Sequence, residues 1–181
     1  MWLRREFYSL SVNYYAFFGL DARFELDLQA LENSYRKIQS AHHPDRFVTA
    51  TASDRLQSMQ MATQANEAYL TLKKPAARAK YLLELQGIQA ISETNTAMPI
   101  DFLMQQMEWR EQLEDAKQEK NIEALEALIR TLKTESNRLE ADFSDQYDLK
   151  KDYTSATDTA RKLIFIDKLS SDIRTAVELL D

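Results

Sequence analysis

Glycine is almost absent from this chain: two glycines, Gly19 and Gly87, and three prolines occur in 181 residues. Few residues can therefore form tight turns with positive φ, whereas Ala, Leu, Glu, Gln and Lys, which favour helices, are abundant. The sequence predicts an all-α protein. The wide separation of the two glycines also excludes P-loops and dinucleotide fingerprints, because these need several glycines close together around a phosphate.

Cysteine is absent, which excludes disulfides, thiolate nucleophiles and thiolate ligands for zinc or an iron–sulfur cluster. No apolar run approaches the roughly 20 residues that span a bilayer. The first eight residues lack the apolar core and the small-residue cleavage site of a secretory signal. We therefore expect a cytoplasmic protein that makes no membrane contact.

The charge is unevenly distributed along the chain. The formal net charge is −6, but residues 1–86 carry a net charge of +2 and residues 87–181 one of −8. This asymmetry favours two functional units. The acidic half should repel nucleic acid and the first half is too weakly basic to bind it, so we expect no nucleic-acid partner.

Two long amphipathic helices are predicted in the first half, over residues 29–42 and 52–74. Asp27 is placed to cap the first, and Pro44 ends it because the residue before a proline avoids the helical region. Pro75 ends the second helix in the same way. The expected inner faces, with apolar residues at steps of three and four, are Leu28, Leu31, Tyr35, Ile38 and His42 in the first helix, and Met59, Ala62, Ala65, Tyr69 and Leu72 in the second.

A shorter helix over residues 76–86 should end at Gly87, which suits the left-handed position after a helix. Residues 88–99 show no sustained period and hold Ser, Thr, Asn and Pro, as is typical of a linker. Three long periodic segments then follow with short connections, which predicts an antiparallel three-helix bundle; they cover residues 100–120, 122–143 and 149–180. The expected division is an extension over 1–12, a first domain over 13–86, a linker over 87–99 and the bundle over 100–181.

His43, Pro44 and Asp45 form a tripeptide between the first two long helices. On spacing alone, the tripeptide is a polar turn in which the proline sets the backbone and the aspartate binds nearby amides.

Metal chelation by His42 and His43 is disfavoured, because neighbours on a helix point about 100° apart. A Ser–His–Asp hydrolase is unsupported, since there is no strand–turn–helix nucleophile elbow. A carboxylate-bridged metal site in the bundle would need histidines there, and both lie outside it. We therefore expect no catalytic residue, metal or cofactor.

The surroundings of this loop resemble the J-domain of the J-type co-chaperones. The segments that carry the resemblance are 14–20 (YYAFFGL), Arg46-Phe47 after the tripeptide, and 64–72 (QANEAYLTL). The resemblance implies a helical hairpin with short flanking helices, whose loop and preceding basic helix face dock on a DnaK-class ATPase chaperone and stimulate its ATP hydrolysis. The residues that it assigns to chaperone binding are His43, Pro44, Asp45, Arg36 and Lys37.

Over its length from about Asn13 to the C-terminus, the chain is similar to one particular group of J-type co-chaperones, the HscB family. The motifs are 74–83 (KPAARAKYLL), Phe102-Leu103-Met104, Arg110-Glu111, Arg161-Lys162-Leu163 with Phe165, and Asp167-Lys168-Leu169. The resemblance implies a co-chaperone, not an enzyme, which brings an iron–sulfur cluster scaffold protein to a specialised DnaK-class partner. The first 12 residues match nothing in this family, and the absence of cysteine pairs favours a bacterial-type member.

The first helix of the predicted bundle has two apolar faces. Trp109 and Leu113 fall within about 20° of Phe102 and Ala116 within about 40° of it, so the four residues form the expected core stripe. A second face, about 100–240° away, combines apolar residues with acids, which are rarely buried without partners. It is either a binding surface or the second buried side of a middle helix. The family resemblance assigns it to scaffold binding, together with an aromatic on the last helix that could equally be a core residue. The residues implied are Leu103, Met104, Met107, Glu108, Glu111, Asp115 and Phe165.

Overall fold

The computed structural model describes residues 13–91 and 98–180. Seven α-helices and no strand occur in these ranges. They are α1 (Tyr14–Phe18), α2 (Leu28–Ala41), α3 (Ala52–Lys73), α4 (Pro75–Leu85), α5 (Ile100–Gln118), α6 (Ile122–Ser144) and α7 (Tyr153–Leu180). A short 3₁₀ turn, Pro44–Phe47, follows α2, and a π-helical turn, Asp145–Lys150, joins α6 to α7. The all-α prediction is confirmed.

The first of two compact units, which ends at Lys73, is the hairpin of α2 and α3 with α1 packed against both. Asp27 caps α2 as expected, accepting hydrogen bonds from the N–H groups of Gln29 and Ala30. The rings of Tyr35 and Tyr69 stack across the hairpin, with their centroids 4.2 Å apart. The buried apolar residues of this unit are Tyr15, Phe18, Phe24, Leu31, Ala65, Ala68 and Leu72.

Two of the expected inner positions of this hairpin are exposed. Leu28, the first residue of α2, is half exposed, and Met59 is 60% exposed, whereas its neighbour Ser58 is buried. The Ser58 hydroxyl donates a hydrogen bond to the carbonyl of His42 at 2.8 Å, which satisfies it in the interior. Because a serine holds this inner position of α3, the spacing of apolar residues predicts the neighbouring Met59 instead.

Helix α4 packs in the second unit, which begins at Lys74, and not in the hairpin. Lys74 is extended, as expected before a proline, so α3 stops and α4 starts as a separate helix at Pro75. Its buried face, including Leu82 and Leu83, contacts α7. The two compact units therefore divide earlier than the expected domain boundary at residue 86.

The second unit contains the expected three-helix bundle, in which α5, α6 and α7 all contact one another, with α4 added on α7. Gly87 adopts φ 74° after α4, and its N–H donates to the carbonyl of Glu84, so the predicted glycine stop is confirmed. The buried apolar residues of the three bundle helices include Phe102, Trp109, Leu113, Leu125, Leu132, Leu139, Phe143, Leu163, Ile166 and Ile173.

Helix α7 begins at Tyr153, four residues later than expected, because the connection from α6 is itself helical. Lys151 adopts a left-handed conformation with φ 57° and ends the π-helical turn. Asp152 then caps α7 by accepting hydrogen bonds from the N–H and hydroxyl of Ser155, at 3.1 and 2.7 Å. These hydrogen bonds stabilise the carboxylate and lower the pKa of Asp152.

The predicted N-terminal extension, residues 1–12, lies outside the described residues, as do positions 92–97 of the predicted linker. Within the part of the chain that the structure describes, no helix is both long and apolar enough to cross a membrane.

The Tyr147 hydroxyl ties α4 to the bundle. It donates a hydrogen bond to the carbonyl of Leu82 at 3.0 Å, and burial raises its pKa. We predict that Tyr147→Phe lowers the free energy of unfolding by about 1–2 kcal/mol, because it leaves the Leu82 carbonyl without this donor. Urea unfolding followed by circular dichroism measures the change. Tyr153→Phe is the control, since that hydroxyl makes no hydrogen bond to any described residue; equal losses from both variants would contradict the assignment.

Candidate functional site

The His-Pro-Asp loop is a short 3₁₀ turn with its own internal cap. His43 is extended and precedes the turn, and its Nδ1 accepts a hydrogen bond from the Asp45 N–H at 3.3 Å. The Asp45 carboxylate lies 3.6 Å from the same nitrogen.

Asp45 presents its carboxylate to solvent. Its side chain is 87% exposed. The neighbouring Arg46 does not pair with it, because the guanidinium donates to the carbonyl of Ser40 at 3.1 Å instead. Apart from His43, no charged or titratable group of the described chain pairs with this carboxylate, and its exposure leaves it available to a cation on another molecule.

Contacts at the base of the loop hold it to both long helices. Ser58 of α3 bonds the carbonyl of His42, and the rings of His42 and Phe47 lie parallel with their centroids 6.3 Å apart. The Arg46 N–H also donates to the carbonyl of His43 at 3.0 Å. Sequence reasoning missed the bracing roles of Ser58 and Arg46, because each acts on a backbone carbonyl and backbone contacts leave no residue pattern.

Arg36 and Lys37 both lie on the exposed surface of α2. The Arg36 guanidinium pairs with Glu32, one turn earlier on the same helix. Lys37 forms no ion pair with any described residue. Of the two expected basic residues, Lys37 therefore has an unpaired charge, whereas the charge of Arg36 is partly neutralised by Glu32.

Helix α5 separates its two apolar faces as the sequence predicts. Phe102, Trp109, Leu113 and Ala116 are buried in the bundle. On the other face, Leu103, Met104 and Met107 are 42%, 60% and 71% exposed. The alternative, in which a middle helix buries both sides, is therefore wrong for this face of α5.

Three carboxylates lie among these exposed apolar residues. Glu108, Glu111 and Asp115 are exposed, and none of them forms an ion pair within the described ranges. We call the six residues Leu103, Met104, Met107, Glu108, Glu111 and Asp115 the α5 surface. An adaptable apolar patch with uncompensated acids around it fits a protein partner that carries apolar and cationic side chains.

Phe165 lies beside α5, and its side chain is neither fully buried nor fully exposed. It is half-buried on α7, and its ring packs edge-to-face against Phe102, with centroids 5.9 Å apart and an angle of 83° between the planes. The Arg110 guanidinium lies over the ring, 5.3 Å from its centroid. The structure therefore brings Phe165 next to α5 without making it a core residue. Sequence reasoning gave Arg110 no role, since its ring partner is on a different helix.

Metal-binding groups do not gather in the described residues. No three His, Asp or Glu side chains there are arranged to hold a metal ion, and His42 and His43 lie at the hairpin tip in the first unit.

Comparison with known proteins gives matches along nearly the whole chain. The family model described as HSCB C-terminal oligomerisation domain matches residues 98–174. A relative from Azoarcus sp. (strain BH72), named co-chaperone protein HscB homolog, is 42% identical over 172 residues, which cover 95% of this chain and 97% of the relative. A relative of the same name from Burkholderia mallei (strain SAVP1) is 44% identical over 173 residues, which cover 96% of this chain and 98% of the relative.

Two solved structures extend the match to the fold. The chaperone HscB from Vibrio cholerae is 38% identical, with a TM-score of 0.78, over 93% of this chain and 99% of that one. The human co-chaperone protein HscB is 25% identical, with a TM-score of 0.81, over 90% of this chain and 81% of that one. The similarity therefore includes both the hairpin with its loop and the helical bundle.

The free energy of unfolding of two α5 variants tests whether the α5 surface is exposed. We predict that Met107→Ala changes the free energy of unfolding by less than about 0.5 kcal/mol, because the side chain is already in solvent. Leu113→Ala on the buried face should cost about 2–5 kcal/mol. Urea unfolding of both variants gives the comparison, and a large loss from Met107→Ala would show that this face is covered.

Proposed function

Because the chain belongs to the HscB family of co-chaperones, we propose that it stimulates ATP hydrolysis by a specialised DnaK-class chaperone and delivers the iron–sulfur cluster scaffold protein to it. The fold is an N-terminal J-domain followed by a C-terminal helical bundle, as in the HscB structures. In this proposal the hairpin of the first unit supplies the chaperone-binding part, and the bundle over residues 100–181 supplies the scaffold-binding part.

The observation that carries the proposal is the exposed Asp45 carboxylate, held on a formed turn and paired with no lysine or arginine of the described residues. A carboxylate in this state binds a cationic group of a partner by a charge-assisted hydrogen bond. His43 and Pro44 set the turn that presents it. Arg36 and Lys37 add positive charge on the preceding helix, which favours an acidic surface on the chaperone.

Scaffold binding is proposed for the α5 surface and Phe165. Met104 and Met107 are flexible apolar side chains that adapt to the shape of a partner. The carboxylates around them select a partner with positive charge, chiefly by steering association and rejecting acidic surfaces. Phe165 adds an aromatic anchor at the edge of the surface.

The mechanism requires no chemistry from this chain. Its two binding surfaces lie on different units, so one molecule can hold the chaperone and the scaffold at once. Linking two binding events in this way raises the effective concentration of the scaffold at the chaperone. The ATP hydrolysis itself belongs to the chaperone, and the proposal includes no cofactor or metal in this chain.

A second candidate is a generic helical interaction adaptor that does not stimulate ATP hydrolysis. The hydrogen bond from the Asp45 N–H to His43 favours it, because a polar turn with no partner would be held in the same way. The two candidates differ in one measurable property, the response of the chaperone ATPase.

Steady-state ATP hydrolysis by the DnaK-class chaperone, with and without this protein and the scaffold, tests the proposal. We predict that this protein raises the rate and that the scaffold raises it further. Asp45→Asn should abolish the stimulation, since it removes the charge but keeps the side-chain shape, and should leave scaffold binding intact. An unchanged response to Asp45→Asn, or no stimulation by the wild-type protein, would leave the adaptor candidate.

Charge reversal tests the scaffold-binding surface separately. We predict that Glu108→Lys with Glu111→Lys weakens scaffold binding by about tenfold or more at low salt, because two attractions become repulsions. Stimulation of the chaperone in the absence of scaffold should be unchanged. The double variant Glu126→Lys with Glu178→Lys is the matched control, because these two acids are exposed, lie on α6 and α7 outside the α5 surface, and give the same change in net charge. Equal scaffold affinities for all variants would remove the α5 surface from the proposal.

A further inference from the structure

Phe165 is held between two side chains that come from α5. Its ring meets Phe102 edge-to-face at 5.9 Å, and the Arg110 guanidinium lies over it at 5.3 Å. Phe102 is buried and so gives a fixed wall, whereas Arg110 is exposed and lies on the solvent side. The orientation of the half-buried ring therefore depends on one core contact and one surface contact.

Arg110 makes this ring contact although a carboxylate is within reach on its own helix. Glu114 lies four residues later, at the spacing of a common helix ion pair. In the structure Glu114 pairs with Lys117 at 2.9 Å, and Arg110 forms no ion pair with any described residue. A guanidinium within about 6 Å of a ring centroid is attracted by the negative face of the ring. The contact with Phe165 is therefore the main interaction of the Arg110 head group.

A cleft of about 270 Å³ opens beside the ring, between α5 and α7. Arg110 and Phe165 border it, and the buried residues Leu113 and Leu169 lie at its base. The Phe165 ring thus forms one wall of a space that a partner side chain can enter, next to the α5 surface. If the ring turned, the shape of that wall would change.

We propose that Arg110 is a positioning residue for scaffold binding, which holds the Phe165 ring in the orientation that the scaffold contacts. The inference rests on the proposed function of the same surface. Aromatic side chains carry a large share of binding energy at interfaces, and a side chain that is already ordered loses less freedom on binding. Arg110 acts through Phe165, and its own charge is not what the scaffold recognises.

Calorimetric titration of the purified scaffold protein into variants tests this role. Arg110→Ala should weaken binding by about two- to fivefold, the range of an exposed cation–π contact. Arg110→Lys should retain most of the affinity, since ammonium groups lie over rings elsewhere in this chain, as Lys162 does over Phe102 at 5.5 Å. The decisive comparison is Arg110→Ala in a Phe165→Ala background, where it should have no further effect.

Lys162→Ala is the matched control. It removes the same kind of contact from Phe102, whose ring is buried and lies outside the proposed binding surface. Scaffold affinity should be unchanged. A loss equal to that of Arg110→Ala would show a general effect of removing a surface cation and would overturn the assignment.

A measurement on the free protein checks the contact without the scaffold. Ring currents of Phe165 should shift the Arg110 side-chain protons upfield in the nuclear magnetic resonance spectrum, and Phe165→Leu should remove the shift. Its absence in the wild type would overturn the inference.

The binding data separate the two levels of the proposal. If the wild-type protein does not bind the scaffold, the proposed function fails and the role of Arg110 fails with it. If it binds and Arg110→Ala has no effect, or keeps its full effect in the Phe165→Ala background, the positioning role alone is overturned. In the latter case Arg110 contacts the scaffold directly.

Discussion

Burial of α7 in the second unit is the constraint on which the exposure of the α5 surface depends. This 28-residue helix contacts α4, α5 and α6, and its inner residues, such as Leu163, Ile166 and Ile173, are almost fully buried. Helix α5 needs only one face to complete this core. Its other face is therefore left in solvent although it carries three large apolar residues, Leu103, Met104 and Met107, and this exposure is what motivates the proposed binding role. Phe165 lies on the edge of α7 nearest to that face.

Local signals in the sequence predicted much of the fold and part of each site. Asp27 and Gly87 mark helix ends through their own backbone preferences, so neighbours far away in the chain do not alter them. The two faces of α5 followed from the helical period, because Trp109 and Met107 point in different directions on any regular helix. The loop tripeptide was found by resemblance to a family, since His43 and Asp45 alone are consistent with an ordinary turn.

Long-range contacts could not be predicted from a single sequence. Ser58 can be buried because its hydroxyl donates a hydrogen bond to the carbonyl of His42. A pattern of apolar residues cannot predict this, since serine is polar. The sequence of α4 shows that one face is apolar but not which helices that face contacts. The hydrogen bond from Tyr147 to the Leu82 carbonyl, which joins α4 to the bundle, is seen only in the structure. The pairing of Arg110 with Phe165 joins residues 55 positions apart, at a distance where helical spacing carries no information.

The position of Arg46 links the exposed loop to the end of the preceding helix. The last carbonyls of a helix have no internal partner, and α2 carries no basic residue in its final turn. Arg46, from the loop itself, binds the carbonyl of Ser40 and supplies the missing cation. Fraying of the last turn of α2 and opening of the loop therefore break the same contact. Removal of the Arg46 side chain would therefore take one contact from the helix end and from the turn at the same time.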